Sequence, residues 1–170
     1  MAFRSRTRAF RRPRGPKVNV TWATPLIFLD QLPVAGATLS GVILTQSDFN
    51  TVLTFERIRL ERIKGWLAFS AVNSASRGGV IASIFKLKTG LAPDPTLSAS
   101  YDANDLLWSG GAASGTASTS PGSANTYLNI DVKARRLMDV EDDITICVRA
   151  VATGSSMTMS GVLRALWSYK

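Results

Sequence analysis

The run Asp143-Ile144-Thr145-Ile146-Cys147-Val148-Arg149-Ala150 decides the fold. Ile144, Ile146, Val148 and Ala150 fall on one parity, and Asp143, Thr145, Cys147 and Arg149 on the other. A period of two belongs to a strand, whose successive side chains point to opposite faces. The same pattern recurs on both sides. Upstream, Leu128, Ile130, Val132 and Ala134 oppose Asn129, Asp131 and Lys133; downstream, Met157, Met159, Gly161, Leu163, Ala165 and Trp167 form a third stripe. Between the first two stripes, Leu137-Met138-Asp139-Val140-Glu141-Asp142 is a polar connection of the length an antiparallel return needs.

Earlier segments continue the pattern. Val18, Val20, Trp22, Leu26 and Phe28 share one parity against Asn19, Thr21 and Ala23. Within residues 51–72, Phe55 to Leu60 alternates, and Ile63 then breaks parity with Leu60, which predicts a β-bulge inside one long bent strand. Glu, Arg and Leu favour a helix there, but the aromatic continuation from Trp66 to Val72 favours the strand. Val80 to Lys88 follows the Arg77-Gly78-Gly79 turn, and Thr38 to Thr45 and Asn104 to Ser109 complete a count of about eight. Short strands with turn-rich joints predict an all-β fold, a single eight-stranded antiparallel jelly roll. The stretch 109–126 is built of Ser, Gly, Ala, Thr, Pro and Asn and is expected as an exposed loop.

Charge divides the chain in two. The 170 residues carry 20 Lys plus Arg against 12 Asp plus Glu, a formal net charge of +8. Residues 1–17 hold Arg4, Arg6, Arg8, Arg11, Arg12, Arg14 and Lys17 and no acid, so the arm carries nearly the whole excess and residues 18–170 are close to neutral. Like charges broken by Pro13, Gly15 and Pro16 repel one another and cannot fold alone, so a disordered basic arm is expected ahead of the domain at 18–170. Guanidinium grips phosphate through two donors and stacks on bases, and Phe3 and Phe10 lie among the arginines. These seven cations are the expected nucleic-acid-binding residues; an import signal is a compatible reading. The arm has no apolar face for a membrane surface, and no uncharged apolar run reaches the length of a spanning helix.

Enzyme chemistry finds little support. Histidine is absent, which removes the Ser-His-Asp triad, the Cys-His pair and imidazole-ligated metals. Neither Asp102 with Asp105 nor Glu141 with Asp142 and Asp143 has a spacing that marks a glycosidase, and they read as turn residues. Asp139, Glu141, Asp142 and Asp143 could gather around calcium, but the turn glycine and spaced ligands of a calcium loop are missing. Cys147, the one cysteine, has no base near it in sequence and reads as a packing residue. No phosphate loop occurs, and the sequon at Asn19-Val20-Thr21 comes without an export signal. Of two further basic groups, Arg57, Arg59, Arg62 and Lys64 suit either a polyanion-facing surface or a solvated edge with cross-strand ion pairs, and Lys133, Arg135 and Arg136 suit either nucleic acid or another subunit.

An arginine-rich arm followed by one all-β domain without a catalytic set resembles the coat proteins of small icosahedral viruses. Asn129 to Leu137, Asp142 to Val148 and Gly161 to Leu166 look like the last three strands of capsid proteins from circular, Rep-encoding single-stranded DNA viruses. The resemblance implies a non-enzymatic capsid protein whose arm faces inward and packages single-stranded nucleic acid, DNA ahead of RNA. It implies further a sixty-copy T=1 shell, residence in the virion and assembly in the host nucleus. No cofactor or metal is implied. Satellite-virus coats that package RNA are similar in plan, and a non-viral nucleic-acid-binding barrel with a basic tail is the alternative from outside the viruses.

Overall fold

Ten strands make up nearly all of the described residues: β1 (Asn19–Trp22), β2 (Leu26–Leu32), β3 (Thr38–Leu44), β4 (Ile58–Ala71), β5 (Gly79–Lys88), β6 (Leu106–Ala113), β7 (Thr126–Val132), β8 (Arg136–Met138), β9 (Asp142–Ala150) and β10 (Met157–Tyr169). The computed structural model describes residues 19–32, 38–45, 48, 58–71, 79–91, 106–113, 126–139, 141–150 and 157–169. Arg4, Arg6, Arg8, Arg11, Arg12, Arg14 and Lys17 of the arm lie outside these residues, as do Arg57, Asp102 and Asp105.

The strands form two antiparallel sheets. One runs β1-β10-β4-β7, with β2 also on β10 and β8 also on β4; the other runs β3-β9-β5-β6. The expected count of eight is corrected to ten, and pairing explains the difference. β1 and β2 lie end to end along β10, opposite Leu166–Tyr169 and Met157–Leu163 respectively. β7 and β8 lie end to end along β4 in the same way. Each pair therefore fills one row, and two four-row sheets packed face to face make a jelly roll.

The first interruption corrects the reading of the opening strand. Trp22 opposes Leu166 and Leu26 opposes Leu163, so the β1–β2 side holds one residue more than β10 over the same interval. Pro25 lies in that gap and has no N–H to give to a ladder. The extra residue inverts parity: Phe28 is buried in the core, whereas Val20 and Trp22, read from sequence as the same stripe, face solvent. The Ala23 N–H still reaches the Ala165 carbonyl at 2.8 Å, which holds the break against β10.

The bulge expected between Leu60 and Ile63 is present. Leu166 pairs with Arg62 and Trp167 with Leu60, so Glu61 is skipped. Without that skip Leu60 and Ile63 would face opposite ways; with it both are fully buried. Across the bulge, Lys133-Ala134-Arg135 separates β7 from β8, with Arg135 in the left-handed region at φ 47° and the Ala134 N–H bonded to the Glu61 carbonyl at 3.1 Å.

One core joins the sheets. Phe28, Leu60, Ile63, Leu67, Phe69, Ile130, Leu163 and Trp167 from the larger sheet meet Ile84, Ile144, Ile146 and Val148 from the smaller. Each such side chain contributes roughly 1.5–3 kcal/mol on burial. The alternation along β9 had implied one wet face, but Asp143, Thr145 and Cys147 are buried as well, with Cys147 packed against Phe85 and Leu87 in a second small cluster. Two boundaries are also corrected. Residues 109–113, expected in a loop, belong to β6 and pair with β5; Leu137 and Met138, expected in the polar connection, belong to β8.

Candidate nucleic-acid interface

The arm joins the body at β1, where Asn19 pairs with Tyr169 on the edge of the larger sheet. The solvent face of that sheet follows from the strand registers. Ile27, Val162, Trp66 and Asn129 stand in one row; Leu29, Ser160, Ala68 and Tyr127 stand in the next. On the other side of the Trp66 row come Arg164, Lys64 and Asp131, then Trp22, Leu166 and Arg62. Half of the face is therefore apolar and aromatic, and the half nearer the arm is basic.

Geometry ties the cations to their neighbours. The Arg62 guanidinium makes a two-point bond to the Asp131 carboxylate through Nε and Nη2. This bond raises the pKa of Arg62 above its ordinary value. The same bond lowers that of Asp131, helped by the positive fields of Arg62, Lys64 and Lys133. Arg59 lies 3.8 Å from Glu61, a loose surface pair. Arg164 is held over the Trp22 ring at 5.5 Å from the centroid, a cation–π contact. Lys64 opposes Arg164 directly across the ladder. Like charges so placed repel, and one acid, Asp131, stands in their row.

The structure brings together only part of what the sequence singled out. Arg59, Arg62 and Lys64 share the outer face because the bulge at Glu61 shifts parity between them. Lys133, Arg135 and Arg136 are exposed at the break between β7 and β8. Trp22, Trp66, Tyr127 and Arg164 escaped the sequence reading. Trp66 sits two residues after Lys64 and four after Arg62, so the shared parity was a usable signal once the strand was assigned.

Two members of the acidic group, Asp139 and Asp142, are paired with lysines. Asp142 is 1% exposed and receives Lys88 Nζ at 2.9 Å, Lys86 Nζ at 3.0 Å and the Asp139 N–H at 2.8 Å. Burial pushes its pKa up, but Lys88, the Asp139 amide and Lys86 outweigh burial and leave it below the usual carboxylate value. Its oxygens are thus committed to ammonium and amide donors rather than to a metal ion. Among the described residues no group of three acids or cysteines is arranged to hold a metal.

No protein-family model matches the chain, and no curated protein matches it. Among solved structures it is similar to the decameric BFDV capsid protein, at 10% identity and a TM-score of 0.44, over 91% of this chain and 99% of that one. It is similar to the semi-empty virus-like particle of the prawn nodavirus of Macrobrachium rosenbergii, at 14% identity and 0.46, over 99% and 90%. Turnip yellow mosaic virus follows at 14% identity and 0.42, over 98% and 89%. All three are viral capsid or particle structures, and the likeness to them is one of fold.

Proposed function

We propose that this chain is a viral capsid protein that self-assembles into a closed shell and packages single-stranded nucleic acid through its arginine-rich arm. The observation that carries the reading is the division of charge: seven cations and no acid in residues 1–17, ahead of a nearly neutral jelly roll. A near-neutral body can pack against copies of itself without a repulsive field, while the arms concentrate positive charge where phosphate must be held. In a sixty-copy shell the arms would present about 420 positive charges to the contents. Arg4, Arg6, Arg8, Arg11, Arg12, Arg14 and Lys17 are the proposed contacts, with DNA favoured over RNA, the virion as location and the host nucleus as the place of assembly.

Deleting residues 2–17 tests the reading. The expected product is a folded body whose particles contain no nucleic acid; truncated particles with undiminished genome would contradict packaging through the arm. Light scattering on the full chain tests assembly. A megadalton closed particle supports the shell, and a stable 18.3 kDa species rejects it in favour of a monomeric binding module.

A further inference from the structure

We infer that the outer face of the larger sheet is a second nucleic-acid contact, where Trp66 and Tyr127 stack unpaired bases while Lys64 and Arg164 hold the adjoining phosphates. The inference rests on the packaging reading for its ligand and adds to it a site on the folded body.

Four observations converge. First, Trp66 is 41% exposed and Tyr127 60% exposed, large rings left in water on a central and an edge strand. Second, the two rings stand 6.5 Å apart between centroids at an interplanar angle of 57°, so they are not closed into a parallel stack with each other. Third, the cations lie on the same face at a useful distance. Lys64 is two residues from Trp66 along β4, about 7 Å for a strand, and Arg164 is two residues from Val162, the cross-strand neighbour of Trp66. Fourth, Lys64 and Arg164 oppose each other across the ladder, and the one acid in their row, Asp131 beside Lys64, is bound by Arg62, so the row keeps a net positive charge that an anion would offset. Aromatic faces interleaved with cations are what sequence-tolerant binding of single strands requires: stacking accepts any base, and the charges track the backbone.

Position links this face to the arm. β1 leads directly from the arm into the sheet, and its Trp22 carries Arg164 on its ring, so a strand held by the arm would meet the basic rows first and the aromatic rows next. A purely apolar partner would strip water from Lys64 and Arg164 with Asp131, already bound by Arg62, as the one acid in their row, and charge complementarity therefore selects a polyanion that also has rings.

Tryptophan emission from the full-length chain reads the contact. Of the four tryptophans, Trp22 and Trp66 are exposed on this face, Trp108 is half-buried on β6 of the smaller sheet, and Trp167 is 3% exposed within the core. A thymidine 20-mer is expected to quench the emission, and heparin, an anion without bases, to leave it almost unchanged. The W66S/Y127S double variant should lose about tenfold in affinity for the 20-mer or more, while W66F keeps most of it. A bromouridine-substituted oligomer should photo-cross-link to Trp66 or Tyr127 in the wild-type chain, a readout independent of how the variants fold. Equal quenching by heparin, cross-links confined to the arm, or emission that responds only to protein concentration, as a second copy covering the face would produce, each overturns the inference. Replacing the seven arm cations by Gln separates the two proposals: loss of packaged nucleic acid speaks to the arm alone, and persistence of the Trp66 cross-link speaks to the sheet.

Discussion

Ser168 donates its hydroxyl hydrogen to Glu61 Oε1 at 2.6 Å, and Glu61 is the residue that the β4–β10 ladder skips. The bulge is thereby held from both sides, by Ser168 on β10 and by the Ala134 N–H on the Glu61 carbonyl beyond β7. Ser168 is buried, so an unmade bond there leaves a polar atom without water. S168A and E61A should each cost about 1 kcal/mol, and E61Q, which keeps an acceptor oxygen, clearly less. A double-mutant cycle by urea denaturation should return a coupling of about 1 kcal/mol between the two positions; strictly additive losses would show that the bond does not stabilise the bulge.

Asp142 contributes stability that is lost in acid. Its folded pKa lies below the ordinary value, so the stabilisation it gives is complete above about pH 4 and is lost as pH falls through the folded value. Lys86 also donates to the Leu137 carbonyl at 3.2 Å, so the same lysine that pairs with Asp142 at the head of β9 ties β5 to β8 in the other sheet. D142N should cost about 2 kcal/mol at pH 7, and the gap between variant and wild type should narrow on titration toward pH 2. A gap that stays constant from pH 7 to pH 2 would mean the carboxylate charge contributes nothing.

Gly65 and Gly161 set how closely β4 and β10 approach. A Cβ built on Gly65 would stand 2.0 Å from the Val162 carbonyl oxygen, and one on Gly161 would stand 2.4 Å from that of Trp66. Both obstacles are backbone, in the central pair of the larger sheet, and neither can rotate away. G65A should cost about 3 kcal/mol or prevent folding. Gly90 offers the contrast: its φ is +90° but nothing lies within 4 Å of its added Cβ, so G90N should cost no more than about 1 kcal/mol. Soluble yield and urea midpoints of the two variants would rank them, and the reverse order would refute the close-approach argument.

Periodicity made much of this fold legible. The alternation along β7, β9 and β10 and the parity break at Ile63 were enough to place strands, and the break located a bulge to within one residue because a buried stripe cannot change faces any other way. What escaped was set by pairing across the sheets. Nothing local to Val20 and Trp22 tells that Pro25 and its neighbours add a residue relative to β10, so the apolar parity there pointed to the wrong face. The dry outer side of β9 was hidden likewise, since Asp143, Thr145 and Cys147 read as solvent residues until Phe85 and Leu87 are placed beside them. The arm was legible as charge alone. The candidate face needed β2, β4, β7 and β10 side by side before Ile27, Trp66, Tyr127 and Arg164 became neighbours.

The arm makes a quantitative prediction about salt. If its seven cations each neutralise a phosphate of a single strand, the affinity of the full chain for a thymidine 20-mer should fall with salt along a log–log slope approaching about −5. Replacing Arg4, Arg6, Arg8, Arg11, Arg12 and Arg14 by Lys preserves the charge and therefore the slope. It removes the forked donors and the stacking planes, so affinity at fixed salt should drop several-fold with the slope unchanged. Substitution of the same six by Gln should flatten the slope to roughly −1, the share of Lys17 alone, and each phosphate held by the sheet adds about −0.7 to both slopes. Fluorescence anisotropy between 50 and 400 mM salt measures all three. An arginine-to-lysine chain that binds as tightly as wild type would reduce the arm to a bag of charge, and a Gln chain with an undiminished slope would move the electrostatic contact from the arm to the body.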